Sequence, residues 1–365
     1  MSRRKVSCVQ NSKLAETAFG IDLNPSPPIL NFERTTSLEE SLRMASSMDL
    51  VIGVDGGGTK TVAWLAPLSD DGTGQVLGRG RAGPGNPRAA GFEVAQASID
   101  AAIEAAFADA NVPRGPVAAA SLCLSGAGRP AEQSRLTQWA DARSLAKITR
   151  VTGDAEPILA AASSENWGIA LIAGTGSLAW GRNRAGDVAR SGGWGYLIGD
   201  EGSAYAIALA GLRAATQAAD GRGPATELLS RFQQQLAAAA PQDLIERIYG
   251  SDMTRERIAL LAIVVFDAAA NDLVAQQIVD TAATDLADMA AALVQSLNLP
   301  VGEYPLALAG SVLEQQETLR QRVLARLHQT ATEPGEVRIV SEPVCGAITL
   351  ARIAASNEFI SDHRL

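Results

Sequence analysis

Two glycine-rich turns in this sequence carry the residue types of a phosphate-binding site. The first, Asp55–Thr61, reads DGGGTKT; its glycines let backbone N–H groups converge on an anion, while a threonine and a lysine add a hydroxyl and a charge. The second, Gly174–Ser177, reads GTGS and has the matching position in a second strand pair. One such turn is more often a plain hairpin, but two in matching places indicate a polyphosphate held from both sides. The candidate contacts are Gly57, Gly58, Thr59, Lys60 and Thr175.

A carboxylate follows the apolar strand that ends at Thr152, within the sequence GDAE. A carboxylate held at a strand end can accept the proton of a hydroxyl group as a general base, and Asp154 is the candidate. The competing interpretation makes Asp154 the N-cap of the next helix, since aspartate is among the best capping residues. The two roles are compatible.

A third candidate segment, Ser191–Ser203, reads SGGWGYLIGDEGS. Its glycines would allow close approach of a polar ligand, and Asp200 or Glu201 could accept hydrogen bonds from hydroxyl groups, a combination suited to a sugar. In the alternative, the two acidic residues only complement a helix dipole and Trp194 fills the core.

Three shorter segments complete the set of candidates. Asn86, in GPGNP, could bond a hydroxyl, although a turn-forming asparagine is the default interpretation. The segment LSGAG at 124–128 ends a strand and could form a wall of a binding cleft, or only a turn. Gly310 and Ser311 follow another strand, where backbone without a side chain could lie against an adenine ring.

Composition excludes several classes of function. The two histidines, His328 and His363, lie near the C-terminus, which argues against a Ser-His-Asp triad or a two-histidine metal site, so proton transfer must fall to carboxylates. The three cysteines are widely spaced without a C-x-x-C pair, as expected in a reducing cytosol. A net charge of −9 argues against nucleic-acid binding, and no apolar run is long enough for a membrane span. We expect a cytoplasmic protein.

The order of elements indicates an α/β fold that repeats itself. Residues 1–48 lack periodicity and are interpreted as a disordered leader. The alternative is a wrongly assigned start, with Met44 or Met48 as the first residue of the native protein. Three strands joined by hairpins and then alternating strands and helices predict a mixed sheet, and the series restarts at Gly168. Two similar halves suggest paired lobes with a cleft between them.

The predicted boundaries follow from this repeat. The N-terminal lobe is 49–164 together with a C-terminal helix, 345–357, and the C-terminal lobe is 165–344 with a helical insertion at about 202–297. The predicted strands are about 50–54, 61–65, 75–79, 117–124, 147–152, 169–173, 178–181, 188–191, 306–308 and 337–340.

Five segments in this order, DGGGTKT, GDAEP, AGTGS, GGWGYLIGDEGSAY and LALAGSV, resemble the actin and sugar-kinase superfamily of ATPases. The resemblance is closer to the eukaryotic-type N-acetylglucosamine kinases, in the family shared with benzoyl-CoA reductase activase ATPases, and extends over about Val51–Ala355. It implies two RNase-H-like, actin-like ATPase lobes around an interlobe cleft, ATP and Mg²⁺ as cofactors, an amino-sugar substrate and a homodimer.

The resemblance also implies roles for individual residues. Asp154 would be the base acting on the sugar 6-hydroxyl, and Asp55 would lie close to the water shell of the magnesium ion. Thr59 and Thr175 would contact ATP phosphates, and Gly310 would lie at the adenosine. No covalent intermediate is needed, because phosphoryl transfer depends on positioning and charge neutralisation. The implied sugar contacts are Asn86, Ser125, Gly126, Ser177, Gly193, Trp194, Gly195 and Asp200.

Sequence departures from the animal enzymes leave open whether the substrate is an acetylated or a free amino sugar. Pro87 and Arg88 follow the loop asparagine where those enzymes have an aromatic residue, and Leu178 and Ser191 stand where they have asparagine and cysteine. Glucosamine and N-acetylmuramic acid are therefore alternative substrates. A reductase activase, which would need cysteines arranged for an iron–sulfur cluster, and a sugar-binding sensor without turnover are the alternatives from other classes.

Overall fold

The computed structural model describes residues 49–69 and 74–362, so the expected leader lies outside the described residues. The chain divides into two compact units. The first extends to Pro157 and includes the chain from Pro343 onward, and the second is Ile158–Glu342. The sequence-based division at 164/165 and 344/345 lies close to these bounds.

The first unit contains a five-stranded mixed sheet in the order β3-β2-β1-β4-β5. The first three strands pair antiparallel, and β4 and β5 continue parallel to β1. Every residue of β4 is buried, which explains its unbroken run of small and apolar side chains. The strands are β1, Leu50–Gly56; β2, Thr61–Pro67; β3, Gly78–Ala82; β4, Val117–Leu124; and β5, Ala146–Thr152.

Strand β3 lies further along the chain than the predicted 75–79. The pairing of Thr61 with Ala82 and of Leu65 with Gly78 sets its register, and Leu77 N–H donates to Leu65 O just before the strand begins. Glycines at 78 and 80 weakened the apolar signal there, although this strand packs closely against the first helix. The helices are α1, Phe92–Asp109; α2, Pro130–Ala142; and α3, Glu156–Ala162.

The second unit repeats the topology of the first, as the sequence predicts. Its sheet has the order β10-β9-β6-β7-β8, in which three antiparallel strands are again followed by two parallel ones. Both sheets thus confirm the predicted mixed α/β fold. The strands are β6, Gly168–Ala173; β7, Ser177–Arg182; β8, Val188–Gly192; β9, Pro305–Ala309; and β10, Glu336–Ile339.

The predicted helical insertion consists of six helices whose buried side chains share one apolar core with the sheet of the second unit. Side chains of Ser203, Thr254 and Asp272 each accept a backbone N–H at a helix start, which explains where three of these helices begin. The helices are α4, Ala204–Ala219; α5, Leu228–Gln235; α6, Asp243–Tyr249; α7, Arg255–Leu260; α8, Ala262–Ala268; and α9, Leu273–Ser296.

The remaining helices are α10, Ser311–Gln315; α11, Glu317–Gln329; and α12, Val344–Asp362. Helix α12 returns to the first unit, where Val344 and Ile348 pack against Val51 and Trp64. Among the described residues no single helix is both long and apolar enough to cross a membrane; the segments 255–268 and 273–296 meet the combined requirement of length and hydropathy only as a pair, and that pair is bent by 118°.

Candidate active site

Two carboxyl groups of the first unit interact at the ends of its parallel strands. Asp55 is the second-last residue of β1, and Asp154 follows the end of β5. Burial, together with the negative charge of Asp154, raises the pKa of Asp55 to about 6, and the positive charge of Lys60 opposes the rise. The structure therefore brings the expected base and the expected metal-side carboxylate within electrostatic reach of each other.

The Asp154 carboxyl lies in an environment that shifts its pKa, as a general base requires. Burial raises its pKa, against hydrogen bonds from the Ser125 hydroxyl and from its own backbone N–H. Helix α3 begins at Glu156, so Asp154 lies two residues before the first helical residue. The hydrogen bond to Ser125 links this side chain to the loop after β4.

Glu156 anchors the Asp154 segment and was not among the site residues expected from the sequence. Its buried carboxylate accepts hydrogen bonds from Arg150 Nη2 at 2.5 Å and from Thr152 Oγ1 at 2.7 Å. These hydrogen bonds connect the end of strand β5 to the first residue of α3. Asp154 lies in the short segment between them. A lone acidic residue at a helix start gives a weak sequence signal, because it equally suits the helix dipole.

Asn86 lies beside this centre and also forms the expected turn. Its side-chain Oδ1 accepts the backbone N–H groups of Arg88 and Ala89, and its Nδ2 donates to Ser125 Oγ at 3.5 Å. A Cβ atom at Gly126, where φ is +78°, would lie 2.4 Å from Asn86 Oδ1, so this position needs glycine. The expected sugar contacts Asn86, Ser125 and Gly126 are thus brought together with Asp154.

The first glycine turn lies beside the Asn86 loop. Gly57 N–H donates to Lys60 O at 2.9 Å, and Gly57 O accepts the backbone N–H groups of Gly85 and Asn86. The other residues of this turn, Gly58, Thr59 and Lys60, are exposed. A closed turn with an exposed hydroxyl, an ammonium group and backbone donors suits an anionic ligand.

The second glycine turn is joined to two helix starts in the second unit. Gly174 N–H donates to Gly176 O, and Gly174 O accepts the N–H of Ala204, the first residue of α4. Gly310 has a φ of +89°, and a Cβ atom there would lie 2.5 Å from Ala173 O. The backbone of Gly310 therefore lies directly against the turn that carries Thr175, and Ser311 begins α10 beside it.

Asp200 is a buried carboxylate on strained backbone in the same unit. Its φ is +61° and its relative exposure is 4%. Oδ1 lies 3.5 Å from Ser177 N, and Oδ2 accepts a hydrogen bond from Arg255 Nη2 at 3.1 Å. The structure thus joins the expected sugar contacts Ser177 and Asp200 and adds Arg255, which the sequence did not indicate because it lies 55 residues further along the chain.

Trp194 lies on the surface, so the interpretation of this residue as a core side chain is wrong. The side chain is 66% exposed, with the Arg190 guanidinium 5.3 Å from the ring centroid. The neighbouring Leu197 and Ile198 are also exposed, whereas Gly193 N–H donates to Ser177 O at 3.0 Å. Residues 194–198 therefore form an exposed apolar segment, called here the apolar flap, that starts beside Ser177 and ends beside Asp200.

A family model described as the BadF/BadG/BcrA/BcrD ATPase family matches residues 52–351, which include both glycine turns and both carboxylate centres. The chain belongs to this ATPase family. Membership confirms the family resemblance that the sequence motifs carry and supports the use of ATP.

Named relatives of this BadF/BadG/BcrA/BcrD ATPase-family protein are amino-sugar kinases. It is 32% identical over 308 residues to an N-acetylmuramic acid/N-acetylglucosamine kinase of Clostridium acetobutylicum, covering 84% of this chain and 99% of the relative. It is 29% identical to an N-acetyl-D-glucosamine kinase of Dictyostelium discoideum, covering 84% and 98%. A Chromobacterium violaceum structure provisionally assigned as an N-acetylglucosamine kinase matches with a TM-score of 0.66 at 26% identity, covering 84% of this chain and all of the other.

Proposed function

We propose that this protein is an ATP-dependent amino-sugar kinase that transfers the γ-phosphate of ATP to the 6-hydroxyl of N-acetylglucosamine. The observation that carries the proposal is the Asp154 carboxyl, which has a raised pKa and is hydrogen-bonded by Ser125 beside Asn86. A carboxyl in this environment is suited to take a proton from an alcohol as the oxygen attacks phosphorus. The names of the two curated relatives support the same activity.

In this mechanism the sugar is held so that its 6-hydroxyl faces Asp154. The sugar contacts that we propose offer amide, hydroxyl and carboxylate groups that can form hydrogen bonds with the hydroxyl groups of the sugar. The exposed Trp194 ring offers an apolar surface for the face of the sugar ring. Glycines among them keep side chains out of the path of the ligand. The proposed contacts are Asn86, Ser125, Gly126, Ser177, Gly193, Trp194, Gly195 and Asp200.

ATP would be held by backbone donors and a few polar side chains. The proposed contacts are Gly57, Gly58, Thr59, Lys60, Thr175, Gly310 and Ser311. Their shared chemistry is the ability to donate hydrogen bonds to phosphate oxygens or to let a ligand lie close to backbone. No side chain needs to form a bond to phosphorus.

A magnesium ion fits the residues around Asp55. Mg²⁺ usually keeps several water ligands and is bound through one or two carboxylates and substrate phosphate oxygens, and Asp55 offers one such carboxylate. The negative charge of Asp154 disfavours the ionised form of Asp55, and a divalent cation would relieve that repulsion. When bound, the ion would neutralise charge on the transferring phosphoryl group, with Asp55 holding one of its water ligands.

N-acetylmuramic acid is the second candidate substrate, because the Clostridium relative is named for both amino sugars. A measurement of ADP release with ATP and Mg²⁺ would test the proposal, with N-acetylglucosamine, N-acetylmuramic acid, glucosamine and glucose compared against a blank without sugar. We expect turnover that depends on N-acetylglucosamine. Equal ADP release with and without sugar, or none at all, would contradict the kinase assignment. We also propose that the protein is a homodimer, as the family resemblance implies, and sedimentation of the same sample would test this; a monomer would contradict it.

A further inference from the structure

Arg255 is placed to control the buried carboxylate of Asp200. The guanidinium Nη2 donates to Asp200 Oδ2 at 3.1 Å, and the Asp200 side chain is 6% exposed. A buried carboxylate is costly unless a donor compensates its charge. Ser177 N lies 3.5 Å from the other oxygen, so Arg255 provides the shorter of the two contacts.

The same guanidinium also contacts the apolar flap. Its Cζ atom lies 5.2 Å from the centroid of the Tyr196 ring, and Tyr196 packs edge-on against Tyr205 of α4 at 5.3 Å. A cation over an aromatic ring attracts the ring electrostatically. Arg255 therefore holds Tyr196, inside the flap, and Asp200, which follows it, with a single planar group.

Arg255 is itself held in place by the start of α7. Thr254 caps this helix by accepting the N–H of Arg257 on its side-chain oxygen, which fixes the backbone on which Arg255 stands. Its Nε is buried and has no hydrogen-bond partner in the described part of the chain. A surface ion pair would leave this atom to water, so the geometry is that of a partly desolvated contact.

We infer that Arg255 is a positioning residue for sugar binding: it fixes the Asp200 carboxylate and the apolar flap in the arrangement that accepts the sugar. This inference rests on the proposed function. A charge-assisted hydrogen bond to a carboxylate fixes its rotamer, which leaves the remaining lone pairs aimed in one direction. Without that bond, Asp200 would have to be ordered again each time the sugar binds.

The test compares three variants with the wild-type enzyme. Arg255→Met keeps the aliphatic stem but removes the guanidinium, and Arg255→Lys keeps the charge without the planar fork. Arg257→Met is the matched control, because Arg257 lies on the same helix and forms an exposed ion pair with Asp252 at 2.6 Å. Calorimetric titration with N-acetylglucosamine and with a non-hydrolysable ATP analogue, steady-state kinetics and thermal melting are measured for each.

We expect Arg255→Met to weaken N-acetylglucosamine binding and raise its KM by about 10- to 100-fold. The affinity for the ATP analogue should stay at the wild-type value, Arg255→Lys should be intermediate, and Arg257→Met should match wild type.

Wild-type sugar affinity in Arg255→Met would overturn the inference while leaving the kinase assignment intact. Equal weakening of sugar and nucleotide binding with a lowered Tm in both Arg255 variants would also overturn it, in favour of a purely structural ion pair. Failure of the wild-type enzyme to bind any amino sugar would overturn the proposed function and this inference with it.

Discussion

Replacing Asp154 by asparagine removes the proposed base while keeping its shape and its contacts. The asparagine carbonyl can still accept the Ser125 hydrogen bond that the carboxylate accepts. The side chain can no longer take up the proton of the sugar hydroxyl. Activity and stability should therefore change in different ways.

The size of the expected loss follows from the role of a positioned base, which contributes about 10²- to 10⁴-fold to rate. Asp154→Asn should lower kcat by that factor, a rise in barrier of about 3 to 5 kcal/mol. The KM for N-acetylglucosamine should change little, because Asn86, Ser125 and Gly126 remain in place.

Stability should move in the opposite direction to activity. The native pKa of Asp154 is raised above 3.8, so the fold disfavours its ionised form, and the wild-type protein loses stability as the pH rises from 3.8 through the native pKa. Asparagine removes that cost and removes one cause of the raised pKa of Asp55, which is about 6 in the wild type. The variant's Tm should exceed that of wild type at neutral pH and approach it in acid.

Three measurements check this reasoning. Initial rates of ADP release give kcat and KM, thermal melts from acid to neutral pH give the stability difference, and Ser125→Ala serves as a control that retains the base. The control should lose less than about tenfold in kcat. A kcat for Asp154→Asn within about tenfold of wild type would refute the base assignment. A lower Tm at neutral pH would refute the electrostatic argument.

Three further predictions concern the second unit. Burial and two neighbouring acidic groups raise the pKa of Asp285, so Asp285→Asn should raise the Tm at neutral pH but not below the ordinary pKa; equal melting at all pH values would contradict this. Gly310→Ala should cost about 1 to 3 kcal/mol of unfolding free energy in urea titrations. This exceeds the cost of Gly302→Ala, where φ is also positive but the added Cβ would meet no atom of the described residues within 4 Å beyond its chain neighbours. Trp194→Ala should leave the free energy of unfolding within about 0.5 kcal/mol, because the ring is exposed, yet weaken sugar binding in calorimetry. Unchanged sugar affinity would remove Trp194 from the proposed site.

Local pattern predicted most of the fold because the two sheets follow the hydrophobic signal. The fully buried β4 and the strands on both sides of each glycine turn appear where the apolar pattern places them. The same signal failed at β3, where glycines replace apolar residues to let a helix approach. The helical character of 202–297 was predictable, whereas its division into six helices depended on caps and breaks that tertiary packing selects.

The residue types and their order along the chain determined by themselves the repeated fold, the family and the candidate base. They did so because glycine turns, a carboxylate after a strand and alternating elements are local properties. Only the tertiary structure decided which side chains meet: it joined Ser125 to Asp154, paired Arg255 with Asp200, and placed Trp194 on the surface. Such contacts depend on burial and on register between distant segments, which no local pattern encodes.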